Sequence, residues 1–394
     1  MNQQNNQAGN DLSRAKLRVG IVAGEASGDL LGAHLIRTLK EKAADIEFIG
    51  IAGPKMIAAG AVSLFPMEKL AVRGYIEVLR HYREILGIRR NLIDYFLKNP
   101  PDVFIGIDAP DFNLELERRL KDKGIPTIHY VGPSIWAWRG ERIRKIARAV
   151  SHILVLFPFE KQIYEKAGVP VTYVGHPLGD MLPLEPNRKS AREQLKLPQG
   201  DMIVTMLPGS RQSELDYLAD LFVETARKIV LQQPNVRFLV PLVSRETRQL
   251  FETALYRCGG QDLPLTILFG HAHEAITAAD VVLVASGTAT LETALLKRPM
   301  VITYKVSKLT WKLAKRKAYL PYVGLPNILA GRFIVPEFLQ DEATPENLSQ
   351  ALLNILNDQT VSQRLTGYFS EMHAILRQNT ADKVAAAILP YLPR

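Results

Sequence analysis

The chain has 394 residues, of which 47% are hydrophobic and 23% are charged, a balance typical of folded globular proteins that excludes a disordered or fibrous one. Its single cysteine, Cys258, excludes an internal disulfide and a zinc site built from cysteines. A net charge of +9 indicates anionic partners, with nucleotides, phosphorylated substrates, nucleic acids and acidic membrane surfaces all open.

The length of the chain predicts two domains, each able to bury a core of its own. No apolar run approaches the roughly 18 residues that a membrane-spanning helix needs. The polar start at Met1 lacks the charged and apolar regions of a signal peptide. We therefore expect a cytoplasmic protein in which residues 1–16 form a disordered extension.

The first predicted strand, Leu17–Ala23, runs into a glycine-punctuated turn before a helix predicted over 30–40. The turn offers Glu25, Ser27 and Asp29 as contacts for an acceptor substrate, because its glycines let a ligand approach the backbone closely. Alternatively, the glycines only shape the turn and Asp29 caps the helix.

Residues 66–98 combine a wide apolar surface with crowded arginines. The apolar side chains singled out are Leu70, Val72, Tyr75, Ile76 and Leu79. A basic, apolar helical region of this kind can lie in the headgroup layer of an anionic membrane. The alternative is a pair of core helices with a solvated basic face, which the residues taken alone favour.

A strand predicted over 101–107 delivers Asp108 and Asp111 to its carboxyl end, the edge of an open α/β sheet where ligands bind. A carboxylate there can act as a general base. The alternative makes Asp111 a helix cap and Asp108 a turn residue. After the next strand, over 125–130, Trp136 and Trp138 suit either a sugar-binding platform or a structural corner.

The basic residues over 139–148 lack a recognised nucleic-acid-binding module, so nucleic acid is not expected as a partner. Residues 183–200 have the composition of an interdomain linker. The second half begins with a buried strand over 202–207, which ends in Gly209, Ser210 and Arg211.

Ser210 can cap the helix that follows, and free backbone N–H groups with the helix dipole would then bind an anion. Arg211 adds forked donors that suit a phosphate. We interpret the turn as a diphosphate cradle, and the alternative is an ordinary turn with a solvated arginine. A second strand, over 281–285, leads into Ser286, Gly287 and Thr288, so two helix N-termini could converge on one diphosphate.

Glu292 lies one turn into that second helix, where it could accept hydrogen bonds from ribose hydroxyls or merely complement the helix dipole. Strand and helix alternate through both halves of the chain. This alternation predicts two doubly wound α/β domains that face a cleft.

Taken together, six stretches resemble lipid-A-disaccharide synthases, and they follow the family's order from about residue 17 to the end. They are Gly24-Glu-Ala-Ser-Gly-Asp29, Gly106-Ile-Asp-Ala-Pro-Asp-Phe-Asn113, residues 130–138, Leu207-Pro-Gly-Ser-Arg211 with Glu214, residues 286–292, and Val323-Gly-Leu-Pro-Asn-Ile328. The resemblance implies a GT-B fold. It assigns 17–182 to an acceptor- and membrane-facing domain, 183–200 to the linker, 201–344 to a UDP-sugar-binding domain, and 345–394 to helices that pack back across the cleft.

The resemblance implies an inverting glycosyltransferase of lipid A biosynthesis. Such an enzyme transfers 2,3-diacylglucosamine from UDP to the 6-hydroxyl of 2,3-diacylglucosamine 1-phosphate (lipid X), leaving a β-1,6 bond and UDP. Because both substrates carry acyl chains, it also implies peripheral association with the anionic inner membrane, which raises the expectation of membrane contact by residues 66–90. An oligomer stays open.

For the site, the resemblance implies Asp108 as the base, with Asp111 as the second candidate. Arg211 and the N–H groups of Gly209, Ser210, Gly287 and Thr288 would stabilise the leaving diphosphate. The remaining donor-binding candidates are Glu214, Ser286, Glu292 for the ribose, and Asn327 for the nucleotide or sugar. No Asp-x-Asp metal motif occurs, so neither a metal nor a cofactor is expected.

Two functions from other classes are the alternatives. A UDP-sugar epimerase of the same fold would bind the donor but need no lipid acceptor. A nucleotide-binding protein without activity is disfavoured, because both Asp108 and Arg211 are present.

Overall fold

The computed structural model describes residues 16–43, 45–70, 75–137, 140–317 and 319–393. Residues 1–15 of the predicted extension, Val72 and Trp138 lie outside the described residues, and so do the side chains of Tyr75, Ile76 and Leu79. None of the helices in the described ranges combines the length and the apolar character that crossing a membrane requires.

Parallel strands form two separate sheets. The first contains β1 (Leu17–Ala23), β2 (Ile46–Ile51), β3 (Ala61–Ser63), β4 (Val103–Ile107), β5 (Thr127–Tyr130), β6 (His152–Val155) and β7 (Val171–Tyr173), in the order β3-β2-β1-β4-β5-β6-β7. The second contains β8 (Met202–Leu207), β9 (Val236–Leu242), β10 (Leu265–Phe269), β11 (Val281–Ala285), β12 (Met300–Tyr304) and β13 (Glu337–Leu339), in the order β10-β9-β8-β11-β12-β13.

Helices connect the strands and cover the sheets. In the first half they are α1 (Ala26–Lys42), α2 (Pro54–Ala58), α3 (Tyr75–Lys98), α4 (Pro110–Lys121), α5 (Ile143–Ala149), α6 (Pro158–Lys166), α7 (Pro177–Met181) and α8 (Arg188–Gln194). In the second half they are α9 (Gln212–Gln232), α10 (Arg245–Arg257), α11 (Ala272–Ala278), α12 (Thr288–Leu295), α13 (Lys308–Lys317), α14 (Leu325–Ala330), α15 (Pro345–Asn357), α16 (Gln359–Leu376) and α17 (Thr380–Ile388).

The central strands are buried on both faces, which explains their nearly continuous apolar sequences. Every residue of β4 and of β11 is buried. The strands predicted over 17–23, 202–207 and 281–285 are confirmed with the same bounds.

Helix α1 begins earlier than predicted. The prediction started it at residue 30, whereas the helix begins at Ala26. The first turn of α1 carries small and polar residues, so the apolar spacing that marks a helix starts only later in it. In α4, proline at the first position is compatible with a helix because that N–H has no intrahelical acceptor.

The chain reverses its winding direction at one point in each sheet. The first sheet winds outward from β1 on one side and from β4 on the other, and the second does the same from β8 and β11. In open parallel sheets, ligands bind beside the carboxyl ends of the strands at such a switch point. All the predicted strand-to-helix motifs leave these four strands.

The last helices return to the first sheet. The carboxylate of Asp180 accepts the N–H groups of Asn379 and Thr380 at 3.0 and 2.7 Å, and the N–H of His176 donates to the carbonyl of Leu376. These bonds hold the start of α17 against the end of the first half of the chain.

Candidate active site

Asp108 lies directly after β4 in a strained loop. Both Asp108 and Ala109 have left-handed backbone angles, with φ of +51° and +44°, which cost about 1–3 kcal/mol each for residues other than glycine. Hydrogen bonds hold the strain in place: the Asp108 N–H donates to the Tyr130 carbonyl, and the Asn113 side chain donates to the Asp108 carbonyl, both at 2.8 Å. The half-buried Asp108 carboxylate makes no hydrogen bond to the described residues and is available to a ligand.

A buried histidine–carboxylate pair lies behind this loop. His129 Nδ1 is 2.7 Å from Glu117 Oε1, and both side chains are fully buried. Burial lowers the pKa of His129, but the charges of Glu117 and Asp108 outweigh it, so the net pKa is raised. His129 Nε2, Glu117 Oε2 and Asn113 Oδ1 are buried without a hydrogen-bond partner. The pair therefore places the His129 imidazole where its charge and that of Asp108 interact, an arrangement that no pattern in the sequence predicts.

Asp111, the second candidate base, is engaged elsewhere. It belongs to the first turn of α4, and its exposed carboxylate pairs with the Arg142 guanidinium. Its backbone carbonyl accepts a hydrogen bond from Arg89 at 3.1 Å. Because a cation already neutralises Asp111, the geometry favours Asp108 as the base.

The turn after β1 has one buried structural residue and two residues that are more accessible to solvent. Asp29 is buried, and its carboxylate accepts the N–H groups of Lys55 and Met56 at 3.0 and 2.9 Å. Asp29 therefore caps α2 and not α1, so the predicted cap is wrong in its target, and both of its carboxylate oxygens are engaged within the protein. Ser27 is exposed and Glu25 is half-buried at the start of α1, and their acceptor contacts stay a prediction.

The turn after β8 is arranged differently from the predicted cradle. The cap of α9 is Arg211 and not Ser210, so the prediction of a Ser210 cap is wrong. The Glu214 carboxylate accepts the N–H groups of Ser210 and Arg211 at 2.9 and 3.2 Å. Gly209 has φ of +126°, and a side chain there would collide with Glu214. Glu214 thus occupies the N–H of Ser210, one of the two main-chain donors predicted at this turn, while the Arg211 side chain is 54% exposed and available.

The turn after β11 keeps its donors open. Gly287 and Thr288 are exposed at the start of α12, and their N–H groups donate to no acceptor in the described part of the chain. Ser286 is held by a hydrogen bond from its hydroxyl to the Val323 carbonyl at 3.2 Å. Because β8 and β11 are paired neighbours, Arg211 and this helix start adjoin at one edge of the sheet.

Glu292 projects from α12 towards groups of both halves. Its carboxylate lies 3.5 Å from His273 Nε2, and this contact raises the pKa of His273. His176, from the first half, has its pKa lowered to about 4 by burial, which outweighs the charges of Glu292 and Asp180. Glu292 therefore lies where the two halves meet, and its ribose contact stays a prediction.

The loop between α13 and α14 also contacts the first half of the chain. The Gly140 N–H donates to the Tyr319 hydroxyl at 3.0 Å, and the Tyr319 N–H donates to the Ala137 carbonyl at 3.1 Å. Asp108 thus lies at an edge of the first sheet and Arg211 at an edge of the second, and loops that connect the strands of these two sheets are in contact.

Asn327 has a structural role that differs from its predicted one. It is fully buried, its amide donates to Val335 and Glu337, and its oxygen accepts the N–H groups of Ile334 and Val335, over distances of 2.7–3.0 Å. All its hydrogen-bonding groups are used within the protein, so the prediction of a ligand contact is wrong for this conformation. Glu337, which the sequence reasoning missed, also accepts the N–H groups of Val323 and Gly324.

Replacing Asn327 with Ala should lower the free energy of unfolding by about 3 kcal/mol or more, because it leaves buried donors and acceptors without partners. Urea denaturation measures the change. Asn354→Ala, at an exposed position of α15, is the matched control and should stay within about 0.5 kcal/mol of wild type. If Asn327→Ala instead has the stability of wild type but binds UDP more weakly, the predicted ligand contact of Asn327 is supported.

Trp136 belongs to a structural corner. Its ring packs edge-on against Phe159 and Phe157, at centroid distances of 5.2 and 6.4 Å. Burial raises the pKa of Glu160 to about 8, despite hydrogen bonds from the Phe157 amide and the Trp136 indole. Of the two interpretations of this tryptophan, the structure supports the corner and not the sugar platform.

The raised pKa of Glu160 predicts a pH-dependent stability. Glu160 is protonated in the folded protein and titrates near 4.5 when unfolded, so its contribution is greatest below pH 4.5 and is lost as the pH rises towards 8. Relative to Glu160→Gln, the wild type should lose up to about 1.4 kcal/mol per pH unit between pH 5 and 8. Urea denaturation across this range measures the difference.

The control for this titration is Glu165→Gln, an exposed carboxylate on the same helix, α6. Its difference from wild type should vary little with pH. A wild-type minus Glu160→Gln difference that is constant from pH 5 to 8 would contradict a buried protonated Glu160.

Two further observations bear on the predictions. Leu70 is half-buried and packs against the core of the first half, so it is not a freely projecting membrane contact.

Among the described residues, no group of three or more His, Cys, Asp or Glu side chains could hold a metal ion.

Comparison with known proteins identifies close relatives. A family model described as lipid-A-disaccharide synthetase matches residues 19–389. The lipid-A-disaccharide synthase of Methylobacillus flagellatus is 62% identical over 374 residues, which cover 95% of this chain and 99% of that protein. The enzyme of the same name from Aromatoleum aromaticum is 58% identical over 96% of each chain.

Solved structures resemble the fold at much lower identity. The glycotransferase of kitacinnamycin has a TM-score of 0.61 at 17% identity, covering 96% of this chain and 100% of that one. The UDP-GlcNAc 2-epimerase from Neisseria meningitidis, solved with UDP-GlcNAc bound, has a TM-score of 0.60 at 12% identity, covering 95% and 99%. At these identities the likeness shows the fold alone, and it confirms the predicted GT-B arrangement of two parallel α/β sheets.

Proposed function

Because the chain belongs to the lipid-A-disaccharide synthase family, we propose that its cleft joins 2,3-diacylglucosamine, delivered as its UDP derivative, to lipid X. The chain is a glycosyltransferase of lipid A biosynthesis. The observation that carries the detailed proposal is the pair of switch points. One presents the carboxylate of Asp108, and the other presents Arg211 beside the open helix start at Gly287.

Asp108 acts as the general base in this proposal. Its carboxylate takes the proton of the acceptor 6-hydroxyl, and the oxygen attacks the anomeric carbon of the donor. The bond from that carbon to the diphosphate oxygen breaks, and its electron pair leaves with UDP. A single displacement of this kind converts an α-linked donor into a β-linked product. The strained loop fixes the position of the base before the substrates arrive.

Arg211 and the N–H groups of Gly287 and Thr288 stabilise the charge that develops on the departing diphosphate. A guanidinium binds phosphate oxygens through paired donors, and the N-terminus of α12 adds a partial positive charge. Donors that are already oriented at the leaving group lower the barrier without reorganisation. Glu292 and the main chain near Ser286 then contact the nucleoside side of the donor.

Membrane association is the part of the proposal that the exposed surface supports. α13 carries exposed Lys308, Lys312, Lys315 and Arg316, with Leu309 70% exposed among them. Cationic side chains around apolar ones bind the headgroup layer of anionic membranes. α13 precedes the loop that touches the first half, so the protein lies peripherally on the inner membrane with its cleft beside the acyl chains of both substrates.

The test incubates the purified protein with UDP-2,3-diacylglucosamine in detergent micelles containing EDTA, with and without lipid X. UDP and disaccharide are followed. UDP release that requires lipid X, survives EDTA and yields a β-1,6 disaccharide supports the proposal. Release or isomerisation of the donor without lipid X would instead favour an epimerase, the activity named for one protein of the same fold.

A further inference from the structure

A polar cavity of about 390 Å³ lies in the second half of the chain, at the edge of the sheet opposite Arg211. Its walls come from α8, from the amino ends of β8, β11 and β12, and from α16. The intervening strands have five or six residues and span about 16–20 Å. The cavity is therefore separate from the proposed donor site, and its volume is in the range of small-molecule pockets.

Positive charge exceeds negative charge in the lining. The cations are Arg188, Arg192, Lys297 and Arg298, and the carboxylates are Asp201 and Asp280. Asp280 accepts hydrogen bonds from Arg188 at 2.6 Å and from Arg192 at 2.9 Å, while Asp201 pairs with Arg237, which lies outside the lining. Neither carboxylate forms an ion pair with Lys297 or Arg298.

Arg192 and Lys297 are already bonded within the protein. Arg192 is buried and also donates to the carbonyls of Ala278, Gln199 and Asp201. The Lys297 ammonium donates to the Leu295 carbonyl and contacts His373 Nδ1. Both side chains therefore have local partners that account for their burial.

Arg298 has no such partner. Its guanidinium makes no hydrogen bond and no ion pair with the described residues, and its Nε is buried without an acceptor. Burial, together with the charges of Arg188 and Arg192, lowers the pKa of Arg298 to about 10, and the charge of Asp280 offsets only part of this shift. Arg298 is half-buried, and its Nε is a buried donor without an acceptor. Such a donor in a native structure calls for a bound anion or an equivalent group.

We propose that this cavity binds a small phosphorylated compound whose phosphoryl dianion pairs with Arg298. The forked donors of a guanidinium can bind two oxygens of a phosphoryl group at once, which a chloride ion cannot match. The remaining N–H of Lys297 and the exposed side of Arg188 are the supporting contacts. Because α8, the β11–β12 region and α16 all line the cavity, the bound anion joins the linker, the second sheet and the returning C-terminal helix.

The probe is inorganic phosphate, titrated into the full-length protein at constant ionic strength against sodium chloride. At a concentration tenfold above Kd, phosphate should raise the Tm by about 2–4 °C beyond the chloride control, and phosphorus NMR should show line broadening of the phosphate signal. Arg298→Met should lose both effects. The substitution breaks no hydrogen bond to the described residues, so the variant should fold.

Two controls separate this site from others. Arg248→Met removes an exposed arginine of α10 and should keep the shift, and Arg211→Met should keep it too, because the proposed donor site lies at the opposite edge of the sheet. If Arg298→Met folds poorly, Arg298→Lys retains the charge without the fork and should weaken phosphate binding about tenfold. No shift in wild type beyond chloride, or an unchanged shift in Arg298→Met or Arg298→Lys, would overturn the proposal.

A phosphoryl group can come from a free compound or from a lipid headgroup, and a second arm separates them. Wild type and Arg298→Met are sedimented with vesicles containing phosphatidylglycerol. Equal binding by both proteins, with the phosphate effects present only in wild type, supports a free compound. Weaker vesicle binding by Arg298→Met supports a headgroup in the same cavity.

Discussion

Replacing Asp108 with Asn should lower kcat by about 10²–10⁴-fold, the contribution expected of a general base. The amide keeps the size of the side chain but cannot accept the proton of the acceptor hydroxyl. UDP affinity should stay close to that of wild type, because Asp108 follows a strand of the first sheet while Arg211 and Gly287 follow strands of the second. Steady-state disaccharide synthesis and calorimetric titration of UDP measure the two quantities.

Asp111→Asn is the matched control, because it makes the same chemical change one turn away. Asp111 pairs with Arg142 at an exposed position, so its loss should cost at most about fivefold. If Asp111→Asn abolishes turnover and Asp108→Asn does not, the two carboxylates exchange roles. Equal activity of Asp108→Asn and wild type would remove Asp108 from the mechanism.

The sequence predicted the elements that carry the site because their signals are local. Buried parallel strands such as β8 and β11 have short apolar runs, and glycine with small polar residues marks the turns after them. The strand β12, Met300–Tyr304, was not predicted, although its run of apolar and β-branched residues is of the same kind. Its edge partner, β13, has three residues, too few for a periodic signal.

The roles that were missed depend on contacts between distant segments. The Asn327 side chain forms hydrogen bonds with Glu337 and with the backbone of 334–335. No spacing rule relates a loop asparagine to an edge strand. The Glu117–His129 pair forms only because α4 packs beside β5. The Glu214 contact could have been predicted from the sequence, because an acid three residues after a helix cap is a known signal of reciprocal capping.

The hydrogen bonds that Glu214 accepts determine how Arg211 can contribute to diphosphate binding. With the N–H groups of Ser210 and Arg211 bonded to Glu214, the turn after β8 can contribute to diphosphate binding chiefly through the Arg211 guanidinium. The open donors come from the other helix start, at Gly287 and Thr288. The two neighbouring turns are therefore complementary, one supplying a full charge and the other supplying main-chain donors.

Arg211→Met should consequently lower kcat/KM for the UDP donor by about 10²–10³-fold, the effect of removing one preorganised donor from a developing charge. UDP affinity should fall as well, since hydrogen bonds to charged groups contribute about 1.5–3 kcal/mol. Arg211→Lys should recover part of the activity, because an ammonium keeps the charge but cannot bind two phosphate oxygens in parallel. Initial rates in the presence of EDTA and titration of UDP measure these effects.

The fold should tolerate this change, which lets the kinetic result be assigned to the site. The Arg211 side chain is half exposed, and its nearest carboxylate oxygen, on Glu214, is 3.8 Å away, an ion pair that contributes little to stability. Glu214 keeps both main-chain bonds when the side chain is shortened. Arg248→Met, in an exposed pair on helix α10, should leave kcat/KM unchanged. Wild-type kinetics in Arg211→Met would assign the leaving-group charge to the helix start at Gly287 alone.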